Sequence, residues 1–229
     1  MAERFKRINA LIGNTAMEKL QHATVMVVGC GAVGSFATEA LARSGVGNLI
    51  IVDFDRVEES NINRQIFALS STVDTPKVDV AAARIRDINP DANVRAINAF
   101  VDADWNVDVR PDFVVDAIDT VDSKIALYNW CNSRGIPFAA SMGAALKSDP
   151  AQIRVGRILQ TSVCPLAARV RKIVREQHLP NFPVVYSTEN PKKSAASAGR
   201  VFGSIITITG AFGLRLADIA IKNIIGSDA

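Results

Sequence analysis

Short apolar runs alternate along this chain with segments of helical periodicity. Apolar runs rich in Val and Ile at residues 25–28, 49–52 and 113–115 have the length and composition of strands buried on both faces. Elsewhere apolar residues recur at helical spacing, most clearly from Lys77 to Asn89. Strands that alternate with helices predict an α/β fold: a doubly wound, mostly parallel Rossmann-like sheet with helices on both faces.

A glycine-rich segment follows the first apolar run directly. Gly29, Gly31 and Gly34 form a GxGxxG pattern where the strand should turn into a helix. Glycines permit a tight turn and close backbone approach, and the helix N-terminus offers free N–H groups and a positive dipole to phosphate. Asp53 ends the next strand at about the separation expected of a ribose-binding acid. These residues predict a nucleotide site without specifying the nucleotide.

Polar residues that follow Asp53 indicate which nucleotide the site binds. They are Asp55, Asn61, Asn63, Arg64, Gln65 and Lys77. A dehydrogenase needs a glycine loop and a ribose acid, but it has no use for amides and cations that converge on the phosphates. An enzyme that cleaves ATP does need them, because negative charge must be neutralised where it develops. The pattern therefore favours ATP.

The order and spacing of these segments resemble the ThiF/MoeB/E1-like superfamily of adenylating enzymes. The matching segments are GCGAVG at 29–34, Asp53-Phe54-Asp55, Ser60-Asn61-x-Asn63-Arg64-Gln65, Lys77 and Asp116-Ala117-Ile118-Asp119. The resemblance covers nearly the whole chain and implies one ATP-binding domain over residues 1–229. Residues 1–150 are expected to form its nucleotide-binding half, and residues 151–229 its substrate-facing and dimerisation half.

The resemblance implies roles for individual side chains. Arg64 and Lys77 are expected to offset charge at the α-phosphate of ATP, with Asn61 and Gln65 as neutral hydrogen-bonding support. The other nucleotide-binding residues are expected to be Gly29, Gly31, Gly34, Asp53 and Asp55.

Asp119 lies where a central strand is expected to end, and ligands bind at such positions in open α/β sheets. By resemblance, Asp119 helps to hold Mg²⁺ on the ATP phosphates. A plainer alternative is that Asp119 or Thr120 caps the following helix, and the two roles are compatible. Asp116, in the same motif, is expected to be structural.

The N-terminal segment, residues 3–22, is expected to be helical and carries a basic cluster around Arg7. A solvated basic face explains that cluster. The resemblance implies a more specific role, in which Arg7 crosses a homodimer interface into the ATP site of the partner subunit. Both interpretations stay open.

Residues 152–200 differ in character from the nucleotide-binding half. Their basic residues include Arg154, Arg157, Arg169, Arg171, Lys172, Arg175, Lys192 and Lys193, against the acids Glu176 and Glu189. This excess fits a solvated helix face or a contact surface for a phosphate backbone, and charge alone slightly favours the former. Prolines and small residues predict a mobile loop at about 187–200.

Residues 161–167, 183–187 and 203–213 resemble one branch of the superfamily, the tRNA threonylcarbamoyladenosine dehydratases. The resemblance implies that ATP adenylates the carboxylate of the threonylcarbamoyl group on adenosine 37 of tRNA, with release of pyrophosphate. An internal nitrogen then displaces AMP and closes a ring, so that water is lost overall. No protein nucleophile is needed, because intramolecular placement gives the attacking nitrogen a large effective concentration.

Cysteine usage separates this chain from other branches. Sulfur-carrier activators commonly hold zinc through two CxxC pairs, which this sequence lacks, so no structural zinc is expected. Cys30, Cys131 and Cys164 lie far apart, which fits a reducing cytosol. Cys30 and Cys131 are expected to pack in the core, and a catalytic thiol at Cys164 is a minor alternative.

Composition indicates an ordinary globular protein: 229 residues, 48% hydrophobic and 21% charged. The net charge of +3 does not by itself indicate a nucleic-acid partner. A polar N-terminus without an apolar signal core predicts a cytoplasmic location. The apolar segment 201–225 is too short between its charges to span a bilayer. It predicts a buried C-terminal helix or strand–helix pair and no integral membrane insertion, with peripheral association left open.

Three functions from different classes remain. The leading one is the ATP-dependent tRNA dehydratase, with tRNA and a second copy of the chain as partners and a sulfurtransferase-like partner left open. The second is an adenylyltransferase that activates the C-terminus of a ubiquitin-like sulfur-carrier protein. The third is a non-catalytic nucleotide-binding module or an NAD-dependent oxidoreductase, which Arg64 and Lys77 disfavour.

Overall fold

The computed structural model describes residues 2–192 and 202–226. The strands are β1 (Thr24–Val28), β2 (Asn48–Asp53), β3 (Asn93–Asn98), β4 (Phe113–Asp116), β5 (Phe138–Ser141), β6 (Ile153–Arg157) and β7 (Pro183–Ser187). The helices are α1 (Lys6–Ile12), α2 (Asn14–His22), α3 (Gly34–Arg43), α4 (Lys77–Ile88), α5 (Val121–Arg134), α6 (Pro165–Glu176) and α7 (Ile206–Ile225). The predicted N-terminal helical segment is therefore two helices, which meet at Gly13.

The strands form one sheet in the order β3-β2-β1-β4-β5-β7-β6. All pairs are parallel except β6–β7, so the carboxyl ends of six strands meet at one edge. Strand order reverses at β1, from which the chain moves first towards β3 and later towards β4. Ligands bind outside the strand ends at such a switch point. The predicted α/β sheet is confirmed.

Each face of the sheet is covered by helices. Val25 and Val27 of β1 pack towards one core, and Met26 and Val28 towards the other, as the twofold alternation of a strand requires. Helices α3 and α7 pack against each other on the first face, while α5 and α6 pack together on the second. The apolar segment 201–225 thus supplies a buried helix. Among the described residues, no helix combines the length and apolarity that crossing a membrane requires.

The last two strands were not foreseen from the sequence. Pro183 begins β7 at the one strand position where its missing N–H costs little, and Val184 and Val185 are fully buried between β5 and β6. The loop predicted at about 187–200 starts inside this strand, since Ser187 is its last residue and is fully buried. Residues 193–200 of that loop lie outside the described part of the chain.

The segment after β7 is bound to the loop after β5. The Glu189 carboxylate accepts hydrogen bonds from the backbone N–H groups of Ser148 and Asp149, both at 2.9 Å. Thr188 donates its own N–H to the Gln152 carbonyl at 3.0 Å. These bonds join the two chain segments at the carboxyl edge of the sheet.

Candidate active site

The glycine loop between β1 and α3 is shaped by backbone contacts. Gly29 has φ of 92° and donates its N–H to the Val52 carbonyl at 2.8 Å. A Cβ on Gly29 would lie 2.8 Å from the Ala117 carbonyl oxygen, and a Cβ on Gly34 would overlap the Gly29 carbonyl oxygen. The fold itself therefore requires Gly29 and Gly34.

Gly31 differs from these two glycines. A Cβ there would have only the amide nitrogen of Gln65 nearby, at 3.9 Å. Neither strain nor crowding by the described residues explains a glycine at this position. The space beside Gly31 is open towards the start of α3, where free N–H groups suit a phosphate. This open cradle fits a nucleotide.

Asp53 connects the glycine loop to the end of β2. Its Oδ2 accepts the Cys30 N–H at 2.5 Å, and its Oδ1 accepts the Asp55 N–H at 2.8 Å. Burial raises the pKa of Asp53, while these two N–H groups and the Lys77 charge act in the opposite direction. Each carboxylate oxygen keeps a second lone pair, so Asp53 can shape the loop and still accept a ribose hydroxyl.

Lys77 begins α4 and is held against Asp55. The ammonium Nζ lies 2.7 Å from Asp55 Oδ2, and the Lys77 side chain is only 7% exposed. The Lys77 N–H also donates to the Asp55 carbonyl at 3.0 Å. Two contacts between the same residues fix the lysine stem, and Nζ keeps two further donors for an anion.

Asn61 organises the turn that carries Arg64 and Gln65. Its carbonyl accepts the N–H groups of Arg64 and Gln65 at 3.1 and 3.0 Å. Asn61 and Gln65 are buried, and Arg64 is partly exposed. The Arg64 Nη1 donates to the Ser60 carbonyl and to Asn63 Oδ1, both at 2.8 Å. The guanidinium is thus folded over its own turn.

Ser35, which sequence analysis did not single out, joins this turn to α3. Its Oγ accepts the Ile66 N–H at 3.3 Å, although Ser35 itself is fully buried. The turn with Arg64 and Gln65 is therefore bonded to the start of α3, directly after the glycine loop, which agrees with the ATP interpretation.

A buried charge network lies beneath the end of β4. Asp116 and Lys124 are both fully buried, and Lys124 Nζ lies 2.7 Å from Asp116 Oδ2. Tyr128 donates its hydroxyl to the same Asp116 oxygen at 2.6 Å, and Lys124 also donates to the Ser141 carbonyl at 2.7 Å. Burial, reinforced by the Asp116 charge, raises the pKa of Tyr128 well above its usual range. The structural role expected for Asp116 agrees with this geometry.

The network controls the turn that follows β4. Asp116 Oδ1 accepts the Ile118 N–H at 2.9 Å, and Ala117 donates its N–H to the Val28 carbonyl at 2.8 Å. The Ala117 carbonyl in turn faces Gly29. The sequence carried one signal for this arrangement: Lys124 shares a helix face with Val121, Leu127 and Tyr128, which are all buried.

Asp119 is exposed at the end of this turn, two residues after the Ala117 carbonyl that faces Gly29. Thr120 occupies the N-cap position of α5, as the alternative expected, but its side chain makes no capping hydrogen bond. The Asp119 carboxylate is therefore available to a ligand.

Two further sequence candidates lie away from these contacts. Arg7 is exposed on α1, and its contribution to a partner's site stays a prediction. Cys164 is buried as the N-cap of α6, where its Sγ accepts the N–H groups of Gly143 and Ala167 at 3.3 and 3.5 Å. Burial raises the pKa of Cys30 and Cys131, so these thiols stay protonated packing groups.

The fold and the open glycine loop at its switch point define a nucleotide-binding protein of the Rossmann-like α/β class. The profile of the ThiF family matches residues 5–229, and the chain belongs to the ThiF family. The tRNA threonylcarbamoyladenosine dehydratase of Bacillus subtilis is 44% identical over 195 aligned positions, which cover 83% of this chain and 77% of that protein. The protein of that name from Escherichia coli is 34% identical over 257 positions, covering 99% and 95%.

Solved structures of an enzyme with the same name as these relatives also superpose on this chain. The crystal structure of the E. coli tRNA threonylcarbamoyladenosine dehydratase in complex with ATP superposes with a TM-score of 0.90 at 36% identity. The match covers 98% of this chain and 94% of that chain. The same enzyme in complex with AMP gives a TM-score of 0.91 at 35% identity. The predicted superfamily and branch are confirmed.

Proposed function

We propose that this chain is an ATP-dependent tRNA threonylcarbamoyladenosine dehydratase. It adenylates the substrate carboxylate, and ring closure then releases AMP. The single observation that carries the proposal is the match to an ATP-bound enzyme of that name over 98% of this chain. The open cradle at Gly31, with Lys77 and Asp119 at the same sheet edge, supports it independently. Relatives named for tRNA modification favour this function over activation of a sulfur-carrier protein.

The chemistry follows from the weakness of a carboxylate as an electrophile. A carboxylate oxygen attacks the α-phosphorus, and the bond to the departing pyrophosphate breaks. The substrate nitrogen then attacks the activated carbon, loses its proton and expels AMP. Lys77 and Arg64 offset the charge that shifts at the α-phosphate, for which Arg64 must turn away from the Ser60 carbonyl. Asn61 and Gln65 shape the turn and donate neutral hydrogen bonds.

Magnesium fits the exposed acid that follows β4. In nucleotide sites Mg²⁺ keeps several waters and takes one or two protein carboxylates together with phosphate oxygens. The exposed Asp119 carboxylate supplies such a ligand. The ion would neutralise part of the phosphate charge, while Asp116 and Lys124 hold the turn that carries Asp119 in place.

We also propose roles for the two halves of the chain and for a homodimer. The nucleotide half, residues 1–150, binds ATP, and residues 151–229 face the tRNA and a second copy of the chain in a homodimer. In that dimer Arg7 of one subunit completes the ATP site of the other. Mixing Arg7→Ala with Lys77→Ala subunits should then restore partial turnover, because one site of each heterodimer keeps both residues. Confirmed subunit exchange without any rescue would place Arg7 in its own subunit's site.

Nucleoside mass spectrometry tests the proposed function directly. Purified protein is incubated with ATP, Mg²⁺ and tRNA that carries threonylcarbamoyladenosine, and the digest is compared with a reaction lacking ATP. The expected result is ATP-dependent conversion of that nucleoside to its dehydrated form, with one AMP per nucleoside. Absence of conversion, with a sulfur-carrier C-terminus adenylated instead, would overturn the proposal.

A further inference from the structure

The arginine side chains between residues 152 and 192 fall into two groups. Arg154, Arg157 and Arg171 each donate to a backbone carbonyl of a nearby loop, at 2.6, 3.1 and 2.6 Å. Their guanidinium groups therefore contribute to local structure. The side chains of Arg169 and Arg175 make no hydrogen bond or ion pair with the residues that the structure describes, and both are exposed. The structure thus separates cations that hold loops from cations that face only solvent.

The solvent-facing cations lie on one face of α6. Arg169, Lys172 and Arg175 recur every three residues, and all three are exposed. Residues three apart are neighbours on a helix, so these three form a slanted row that turns through about 120° around α6, and we call them the α6 stripe. The Glu176 carboxylate is 3.8 Å from Lys172 Nζ in an exposed pair, which compensates little of the positive charge.

The opposite side of α6 fixes the direction of the stripe. Ala167, Val170 and Val174 are buried in the core, so the helix cannot rotate to hide its cations. The amino end of α6 is bound to Gly143 through the Cys164 thiol at 3.3 Å. Gly143 follows β5 at the carboxyl edge of the sheet, where the nucleotide site lies. From there the 12 residues of α6 extend for about 18 Å.

We propose that the α6 stripe binds the phosphate backbone of RNA and holds the RNA substrate along the length of α6, starting from the carboxyl edge where the helix begins. Three exposed cations, of which only Lys172 has an acidic partner, complement a polyanion that is much longer than the nucleotide site itself. A membrane surface fits less well, because interfacial helices insert an apolar face and the apolar side of α6 is already buried. The identity of that RNA as tRNA rests on the proposed function.

Salt-dependent binding to total tRNA tests the stripe. The full-length wild type is compared with Arg169→Ala/Lys172→Ala/Arg175→Ala and with a control, Arg86→Ala/Arg95→Ala/Arg110→Ala. Both variants lower the net charge of +3 by three. The control cations are exposed elsewhere: Arg86 lies on α4, Arg95 lies on β3 at the far edge of the sheet, and Arg110 precedes β4. The stripe variant should lower the slope of log affinity against log salt by about 2 to 3, and the control should leave it unchanged.

A charge-retaining variant, Arg169→Lys/Arg175→Lys, separates charge from fold, and it should keep the wild-type slope. An unchanged slope in the stripe variant, or an equal loss in the control, would overturn the inference. So would a stripe variant that loses binding to vesicles of phosphatidylglycerol and phosphatidylcholine yet still binds tRNA normally.

Turnover assays separate this inference from the proposed function. If the α6 stripe binds tRNA, the stripe variant should raise the KM for tRNA at least tenfold, with little change in the KM for ATP. If the wild type converts tRNA and the stripe variant binds it normally, the stripe inference fails and the function stands. If the wild type binds RNA through the stripe but converts none, the proposed function fails and the stripe stands.

Discussion

Charge is handled in opposite ways by two regions of this chain, the surroundings of the glycine loop and helix α6. In the nucleotide-binding half, Lys124 lies 2.7 Å from Asp116 with both side chains fully buried, and Lys77 lies 2.7 Å from Asp55. On α6, Arg169 and Arg175 are exposed and make no ion pair with any described residue. Buried pairs keep their strength in salt, and exposed cations lose theirs as ionic strength rises. The buried pairs therefore hold charge in a fixed position, while the exposed cations of α6 suit the salt-sensitive attraction of a polyanion that we propose for them.

The largest effect should come from the most buried pair. Lys124→Met leaves the Asp116 carboxylate buried without its cation, which should lower the free energy of unfolding by about 3–5 kcal/mol. The matched control is Lys172→Met, since the exposed Lys172–Glu176 pair contributes little. Urea unfolding measures both. A Lys124→Met protein as stable as the control would contradict the contrast between buried and exposed charge.

The next effect concerns catalysis. Lys77→Ala and Arg64→Ala should each lower kcat by about 10²–10³-fold, because each removes a donor to charge that shifts in the transition state. The matched control is Arg56→Ala, whose side chain binds the Asp74 carbonyl in the same region. Unchanged circular dichroism and unfolding midpoints should accompany the loss. Near-normal turnover in either variant would remove that residue from the catalytic set.

The glycine loop allows a third, more selective comparison. Gly31→Ala should fold normally, because the nearest described atom to a new Cβ is 3.9 Å away. It should weaken ATP binding by tenfold or more, about the worth of one hydrogen bond to a charged group. Gly34→Ala should instead fail to fold, since its Cβ would overlap the Gly29 carbonyl oxygen. Calorimetry with ATP and Mg²⁺, alongside thermal unfolding, distinguishes the two. Wild-type ATP affinity in Gly31→Ala would contradict a nucleotide at the cradle.

The smallest effect is a pH dependence at Glu39. Burial alone would raise the pKa of Glu39, but hydrogen bonds from Arg84 and Arg43 outweigh it and lower the pKa below its usual 4.5. A lowered carboxylate pKa stabilises the folded state above pH 4.5, and this contribution disappears as pH falls through the folded-state value. The stability gap between wild type and Glu39→Gln should therefore shrink on acidification. Urea unfolding is measured from neutral pH to below pH 4.5. A stability difference that stayed constant over this range would contradict the role of the Arg84 and Arg43 hydrogen bonds.

The sequence predicted the parts of the site that depend on local spacing. The run from β1 through Gly34, and Asp53 at the end of β2, follow from strand length and turn chemistry alone. The Lys124–Asp116 pair could not be predicted in the same way, because it joins a helix to a strand end only after both pack. Strands β6 and β7 were missed for a related reason. Pro183 suggested a loop, and only burial between β5 and β6 makes residues 183–187 a strand.

Transfer of an isotopic label tests the central claim most directly. If the carboxylate attacks the α-phosphorus, one carboxylate oxygen stays on AMP when ring closure breaks the bond between acyl carbon and oxygen. The substrate nucleoside is therefore prepared with heavy oxygen in its carboxylate and converted in unlabelled water. The account predicts AMP that carries one heavy oxygen and pyrophosphate that carries none. Unlabelled AMP from a reaction that still yields the dehydrated nucleoside would contradict adenylation by this enzyme.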